Sequence, residues 1–561
     1  MTLSTALPMT RRGALAAALA AVAWRPSRAA ADSDAAQAEA LHVLDRFAFG
    51  PAPGDLERVT RMGAGAWVAE QLQPGRLALP TWLSDQLATL RTPGRTQREL
   101  VQGYRDAQRE ARQARQAETA SPDGTNPPDP AAGERRRQAA AIAYEAGQER
   151  LLQALASPRQ LQEVLVDFWF NHFNVFQGKG LDRVLVESYE REAIRPHVLG
   201  RFRAMLGATA KHPAMLFYLD NWLSVAPGFQ PGRRKGTGGG ARKASGLNEN
   251  YARELMELHT LGVDGGYTQQ DVTELARILT GWTMRPDGPN RRHFADATEA
   301  SASGQGDSIF VFDARRHDDG GKTWLGRGIA PDGQLEGERA LDVLARHPAT
   351  ARHLATKLAR RFVADVPPPA LVDRLAQRFL ATDGDLREVM QALADSAEFR
   401  DPRPTKFKTP YQYVLSAVRA TGITTTNVRP LIAQLAQLGQ PLYGCQTPDG
   451  WHDTEADWLN PAAITQRVNF ATSLASGRLP LQRADDPDMP AGNALKAMER
   501  QADRAVNGSQ PLEGSTSPVD AATLLATLGP AVSGSTRRAV EDAPPPLRAA
   551  LLLGSPDFMR R

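Results

Sequence analysis

Between Leu247 and Gly262 the chain places Glu249, Arg253, Glu254, Glu257 and His259 within about three helical turns. On a helix Glu254 and Glu257, three apart, share a flank with Asn250, and Arg253 lies beside them. Two carboxylates so placed can hold one divalent metal or act as an acid–base pair. They can equally bracket Arg253 in an ion pair that only fixes the helix, and both readings stay open. His259 falls with Asn248 on the other side of the apolar stripe. It lies more than a third of a turn from either glutamate, which disfavours a Glu-plus-His metal site on this helix alone. Asn248 and Asn250 supply amides that could contact a substrate.

Three further clusters carry candidate chemistry. His172 sits among Phe168, Trp169, Phe170 and Phe173, surroundings that keep an imidazole neutral and fit it as base or ligand. The competing reading is a buried histidine bonded to a backbone carbonyl. His212 precedes Pro213, where it is either a base or ligand or simply a helix N-cap. Asp220 and Asn221 close that segment, a placement poor for the helix dipole, so Asp220 is a candidate oxygen ligand. His317 and Lys322 flank an Asp-Gly-Gly turn and contact substrate only if that turn folds over the other clusters. His347 and His353 read as caps or surface residues. Cys445, the single cysteine, has no internal disulfide partner and reads as a small residue at a turn. Zinc-protease, di-iron, calcium-loop, nucleophile-elbow and nucleotide-binding motifs are absent.

These groups must be positioned mostly by helices. Helical periodicity marks 37–49, 55–72, 98–118, 134–156, 158–175, 181–210, 247–261, 270–281, 337–346, 349–364, 369–380, 384–395, 409–421, 428–438 and 462–475. Thr268 and Asp271 form a capping-box pattern. Strand signal is confined to 309–312 and 323–325, which suggests one small β-hairpin at about 309–325. The expected fold is mainly α, a multi-helix globular array. Residues 98–150, 226–246 and 284–308 read as insertions in a main domain over 32–479. The first is a charged, projecting helical pair. The second is a basic Gly-rich flap. Residues 480–518 read as a flexible linker, and 519–561 as a helical segment packing on the main domain.

The 561-residue chain carries 67 Lys and Arg against 63 Asp and Glu. Four of the arginines and no acid lie in residues 1–31, so the remainder is formally neutral and a nucleic-acid partner is not expected. Residues 1–31 read as an export signal: Thr10-Arg11-Arg12, an apolar run too short to span a bilayer, then Ala29 to Ala31. The paired arginines favour the twin-arginine route and a periplasmic or extracellular destination. No later segment is long and apolar enough for a transmembrane anchor.

Several blocks in order resemble a known family: Leu44 to Pro51, Phe168 to Phe173, His212 to Met215, Leu247 to Gly262, Gly266 to Val272, Leu279 to Trp282, His317-Asp318 with Lys322 and Leu325-Gly326, Gly450-Trp451, and Ser555 to Phe558. This is the bacterial family known as domain of unknown function 1800 (DUF1800), and the resemblance runs from about Leu41 to the C-terminus. It implies export, a mainly helical unit and no established reaction. It supplies no catalytic residues, and it implies a possible partner in the neighbouring exported family DUF1501, which resembles phosphatases and sulfatases.

The resulting expectation is an exported enzyme of metal-assisted hydrolase type. Its polar pocket is lined by the 247–262 helix, with His172, His212 and Asp220 facing in. His172, His212, Arg253, Glu254 and Glu257 are the catalytic candidates. Glu254, Glu257 and Asp220 are the candidate ligands of a divalent metal. Asn248, Asn250, His317 and Lys322 are the substrate contacts. Two alternatives stand beside it: a non-catalytic partner or scaffold for a sulfatase-like exported protein or an envelope polymer, and a cofactor-carrying redox protein.

Overall fold

The computed structural model describes residues 28–120, 130–229, 246–285, 308–403, 405–482 and 516–561. The paired arginines, most of the basic flap, most of 284–308 and most of 480–518 lie outside the described residues. In chain order the first helices are α1 (Arg28–Phe47), α2 (Asp55–Met62), α3 (Ala64–Gln71), α4 (Thr81–Ala88), α5 (Gln97–Ala120), α6 (Pro130–Ala156) and α7 (Gln160–His172). They are followed by α8 (Asp182–Ser188), α9 (Phe202–Lys211), α10 (Pro213–Tyr218), α11 (Glu249–Glu257), α12 (Gln269–Ile278), α13 (Gln334–Ala345) and α14 (Pro348–Phe362). Then come α15 (Pro369–Ala381), α16 (Leu386–Ala394), α17 (Ala397–Arg400), α18 (Pro410–Thr421), α19 (Arg429–Gln437), α20 (Glu455–Trp458) and α21 (Pro461–Ala475). The last are α22 (Ala521–Leu528), α23 (Gly534–Asp542) and α24 (Pro545–Leu553). The fold is mainly α. Among the described residues no helix is long and apolar enough to cross a membrane.

The ends of these helices follow from local chemistry. Thr268 and Thr409 close capping boxes with Asp271 and Gln412. Proline at the first helical position starts α10, α14, α18 and α21, where its missing N–H costs nothing. The stretch 55–72 is two helices because Gly63 turns the chain at φ 86°. The stretch 181–210 is also broken: α8 runs into a π-turn, Tyr189–Ile194, and Pro196 stops it before α9 begins.

Strand pairing differs from the single hairpin expected. Strand β2 (Phe310–Phe312) pairs antiparallel with β1 (Trp282–Met284), and β3 (Lys322–Trp324) with β4 (Arg327–Ile329). Leu325 and Gly326 both take positive φ, 46° and 68°, the two-residue turn that matches strand twist. The β1 strand is three residues long and follows the Gly281 turn, too short for an alternating pattern to mark it. The 98–150 pair does not simply project either: Leu100 and Val101 near its start and Tyr144 and Ala146 near its end are buried.

One apolar cluster runs from Ala40 to Met559. Trp169, Trp282 and Trp324 are its largest buried side chains. The Trp282 ring lies so close to α13 that a Cβ on Gly337 would sit 2.3 Å from Cζ2. Gly337→Ala is therefore expected to destabilise the protein by about 1–3 kcal/mol despite the better helix propensity of alanine. Urea unfolding would check this, and an unchanged or raised midpoint would contradict the packing.

Candidate functional site

The stretch from Leu247 to Gly262 is helical over only part of its length. Helix α11 ends at Glu257, and Gly262 turns the chain at φ 85°. Asn248 is its N-cap, accepting from the Asn250 N–H at 2.9 Å and donating to the Leu219 carbonyl at 3.3 Å. Asn250 is exposed. Arg253 donates to Gln269 at 2.7 Å and, among the described residues, forms no ion pair with either glutamate. Glu257 accepts from Tyr267 at 3.2 Å. Burial and the neighbouring Glu257 push the Glu254 carboxyl up.

The other candidates go to separate places. Asp220, itself at φ 61°, pairs with Lys179 at 2.9 Å. His212 caps α10, its Nδ1 accepting from Ala214 N–H at 3.1 Å, while Nε2 meets Gln97. His317 and Lys322 are fully buried and share Glu336, at 3.1 and 2.6 Å. That closed triad pins the 313–325 loop to α13 and leaves neither side chain open to solvent. Among the described residues no three His, Cys, Asp or Glu side chains come together as a metal ion would need. Glu254, Glu257 and Asp220 thus do not come together as one set of ligands.

Convergence occurs elsewhere, and it begins in the core. Arg150 of α6 is buried, with Asp167 of α7 at 2.8 Å and Glu190 of the π-turn at 3.1 Å. The rings of Phe170, Tyr411 and Tyr443 lie 5.1–5.2 Å from its guanidinium. Glu190 also meets Arg195 at 2.9 Å, and Arg195 reaches Glu163 at 2.7 Å. On the other side Asp167 accepts from Arg361 of α14 at 2.8 Å, and Arg361 lies 3.5 Å from Asp453. A relay of alternating charge therefore runs from the core to a cleft.

That cleft encloses ≈ 410 Å³ between α7, α14 and the 449–457 loop. Helix α14 contributes His353, Lys357, Arg360 and Arg361, a spacing that keeps them on one face. Asn171 of α7 fixes the loop: its amide donates to the Trp451 carbonyl at 2.8 Å and accepts from Trp451 N–H at 2.7 Å. Asn174 similarly holds the Cys445 and Thr447 carbonyls at 3.1 and 2.8 Å. Gly450 permits the approach: its φ is +76°, and a Cβ there would meet the Asn171 carbonyl oxygen at 2.3 Å.

In the loop His452 stands between two carboxylates, Asp457 at Nδ1 (3.2 Å) and Asp449 at Nε2 (3.3 Å). Hydrogen bonds to Asp457 and Asp449 raise its pKa, favouring the imidazolium. Lys357 is the opposite case. Burial lowers its ammonium to about 8, against the pull of Asp449 and with help from Arg360. Behind it three imidazoles cluster: the His172 ring centroid is 6.2 Å from His259 and 6.1 Å from His353. His172 donates to the His259 carbonyl at 3.1 Å and His353 to the Leu258 carbonyl at 3.2 Å. Burial and the Lys357 charge hold all three neutral, His259 down to about 3 and His353 to about 4.

A second cleft of ≈ 310 Å³ contains Asp55, Arg58 and Arg419, but its charges are matched, Asp55 by Arg419 and Arg58 by Glu70. The 449–457 cleft is the better candidate because it holds perturbed groups facing solvent.

A sequence model of one family matches residues 42–560. The chain belongs to the family described as protein of unknown function DUF1800. Comparison with curated proteins and with solved structures finds no match. Two of the blocks that carry the DUF1800 resemblance, Phe168 to Phe173 and Gly450-Trp451, meet in this cleft. Sequence reasoning picked out His172 but passed over Lys357, Asp449, His452 and Asp457, and placed His353 at a cap or the surface. The usable signal was His353, Lys357, Arg360 and Arg361 recurring at helical spacing on one face of α14, together with the Gly-Trp block.

Two outcomes follow from this electrostatic arrangement. Asp167→Asn leaves Arg150 and Arg361 short of a buried counter-charge, and is expected to cost about 3–5 kcal/mol in urea unfolding. An unchanged midpoint would show the relay to be dispensable. For the histidines, a folded pKa below the free value means that the unfolded chain binds more protons. Stability is then full above pH 6.5 and falls as pH drops toward 4. Glu149, raised to about 7 by burial and by Glu187, works in the other sense. Between pH 6.5 and 4.5 a His259→Asn/His353→Gln variant should lose about 2–4 kcal/mol less than the parent. Equal losses in the two proteins would contradict the buried, neutral assignment.

Proposed function

We propose that the chain is an exported enzyme of hydrolase class, working by general acid–base catalysis in the 449–457 cleft. The observation that carries this reading is His452 held between Asp457 and Asp449. Asp457 engages Nδ1 and is itself fixed by the Thr454 N–H at 3.2 Å. It therefore sets the ring orientation, as the orienting carboxylate does in a catalytic triad. Nε2 meets Asp449, which also lines the cleft, through a 3.3 Å contact that is long and exposed. A water or substrate seated there can give a proton to Asp449 while the leaving group takes one from His452. The metal-assisted form of hydrolysis has no donor set among the described residues to support it, because the two aspartates sit on opposite ring nitrogens. Thr10-Arg11-Arg12 and the apolar run after it support twin-arginine export to the periplasm or beyond.

The test is a panel of chromogenic esters, phosphates, sulfates and glycosides assayed from pH 5 to 9. One class should be turned over, and His452→Gln should lower kcat by about a hundredfold or more, with the thermal midpoint nearly unchanged because the ring is exposed. Equal residual rates for both proteins on every class would overturn the reading. Co-purification of a DUF1501-like protein with such an inert chain would favour the partner alternative.

A further inference from the structure

The charges in the cleft are unevenly matched. Asp167 is held by Arg150 and Arg361, both at 2.8 Å. Asp453 lies 3.5 Å from Arg361, and Asp449 and Asp457 bracket His452. Each carboxylate lining the cleft thus has a cation beside it. Two cations have no carboxylate in return. Among the described residues Lys357 has no hydrogen-bond partner and no carboxylate within 4.0 Å. Arg360, one turn further along α14, donates Nε to the Asp365 carbonyl at 3.2 Å. The Asp365 carboxylate is occupied by Lys406 and by the Glu455 N–H at 2.8 Å.

A fully exposed lysine without a partner needs no explanation, but Lys357 is half-buried in the cleft wall. A partly desolvated ammonium without a counter-ion is weakened, and an arriving anion would restore it. The surrounding groups do not compete for the anion. Facing Lys357 are His353 and Arg360 from its own helix, His172 from α7, His259 from the turn after α11, and Asp449 from the loop. The three imidazoles are neutral, Arg360 adds positive charge, and only Asp449 opposes it while being drawn toward His452.

We propose that Lys357 and Arg360 form an oxyanion subsite that receives a carboxylate or phosphate group of the substrate beside His452. The inference rests on the reading of this cleft as the active site, and it adds the substrate class: a molecule with an anionic group next to the bond that is cleaved. Planar Arg360 can bond two oxygens of such a group, and Lys357 supplies a point charge. Binding favours the ammonium, so Lys357 takes up a proton when the anion arrives at alkaline pH.

The experiment uses the full chain and two probes, acetate and inorganic phosphate, titrated at constant ionic strength with thermal unfolding as readout. At about pH 6.5 one of them should raise the unfolding temperature saturably, and which one does so separates carboxylate from phosphate. Lys357→Met should weaken the apparent affinity about tenfold or more, while Lys357→Arg stays within about threefold. At about pH 9.5 the parent should bind as weakly as Lys357→Met, because its amine is then neutral. His452→Gln should still show a saturable response that is lost on adding Lys357→Met, though a weaker one because Asp449 is then unmatched, so failure of the acid–base reading and failure of this one are distinguishable. A response that is absent for both probes, or identical in Lys357→Met, would overturn the proposal.

Discussion

The Arg150–Asp167 contact is the interaction on which the remaining architecture rests. A guanidinium taken out of water is tolerated only if its charge and donors are met. Here Asp167 and Glu190 meet the charge and three aromatic rings surround it. The contributors come from α6, α7, the π-turn, α18 and the segment at Tyr443, so their relative positions are fixed together. Asp167 does a second thing with its other oxygen. It binds Arg361 and so fixes α14 against α7, which is the geometry that opens the cleft. The cleft wall cannot shift without exposing a buried charge in the core.

Within the cleft, solvent access decides the protonation states. His452 is exposed and lies between two carboxylates, so its imidazolium is favoured. His172, His259 and His353 lie a short distance away among Phe168, Trp169 and Phe173, where desolvation keeps them neutral. Lys357 stands at the boundary, and its ammonium is weakened. Groups of similar intrinsic basicity are thus pushed apart by burial on one side and hydrogen bonding on the other, the pattern that separates acid from base roles in active sites.

Much of the architecture could be read from the chain. The capping box at Thr268, the histidine-proline start at His212 and the long amphipathic segments all form as their patterns indicate, because each depends on residues within a turn or two. The errors lie where local pattern is ambiguous. Gly63 divides 55–72, and Pro196 with its π-turn divides 181–210. The β1 residues Trp282 to Met284, after the Gly281 turn, make a run too short to read as a strand. The site was less legible. Glu249, Arg253, Glu254, Glu257 and His259 stand out because they are dense along one segment, yet density along a helix sends side chains to different faces. Arg253 goes to Gln269, Glu257 to Tyr267 and His259 inward.

By itself the sequence determined the class of the fold, the family and the main helix ends, since periodicity, capping and ordered blocks are properties of neighbouring residues. It also marked Phe168 to Phe173 and Gly450-Trp451 as separate blocks. Only the tertiary structure decided that Asn171 bonds Trp451, 280 positions later, and that Lys357 stands unpaired beside a matched set of acids. Such encounters depend on the packing of the whole core and on which charges water can still reach. Neither is written in the spacing of residues along the chain.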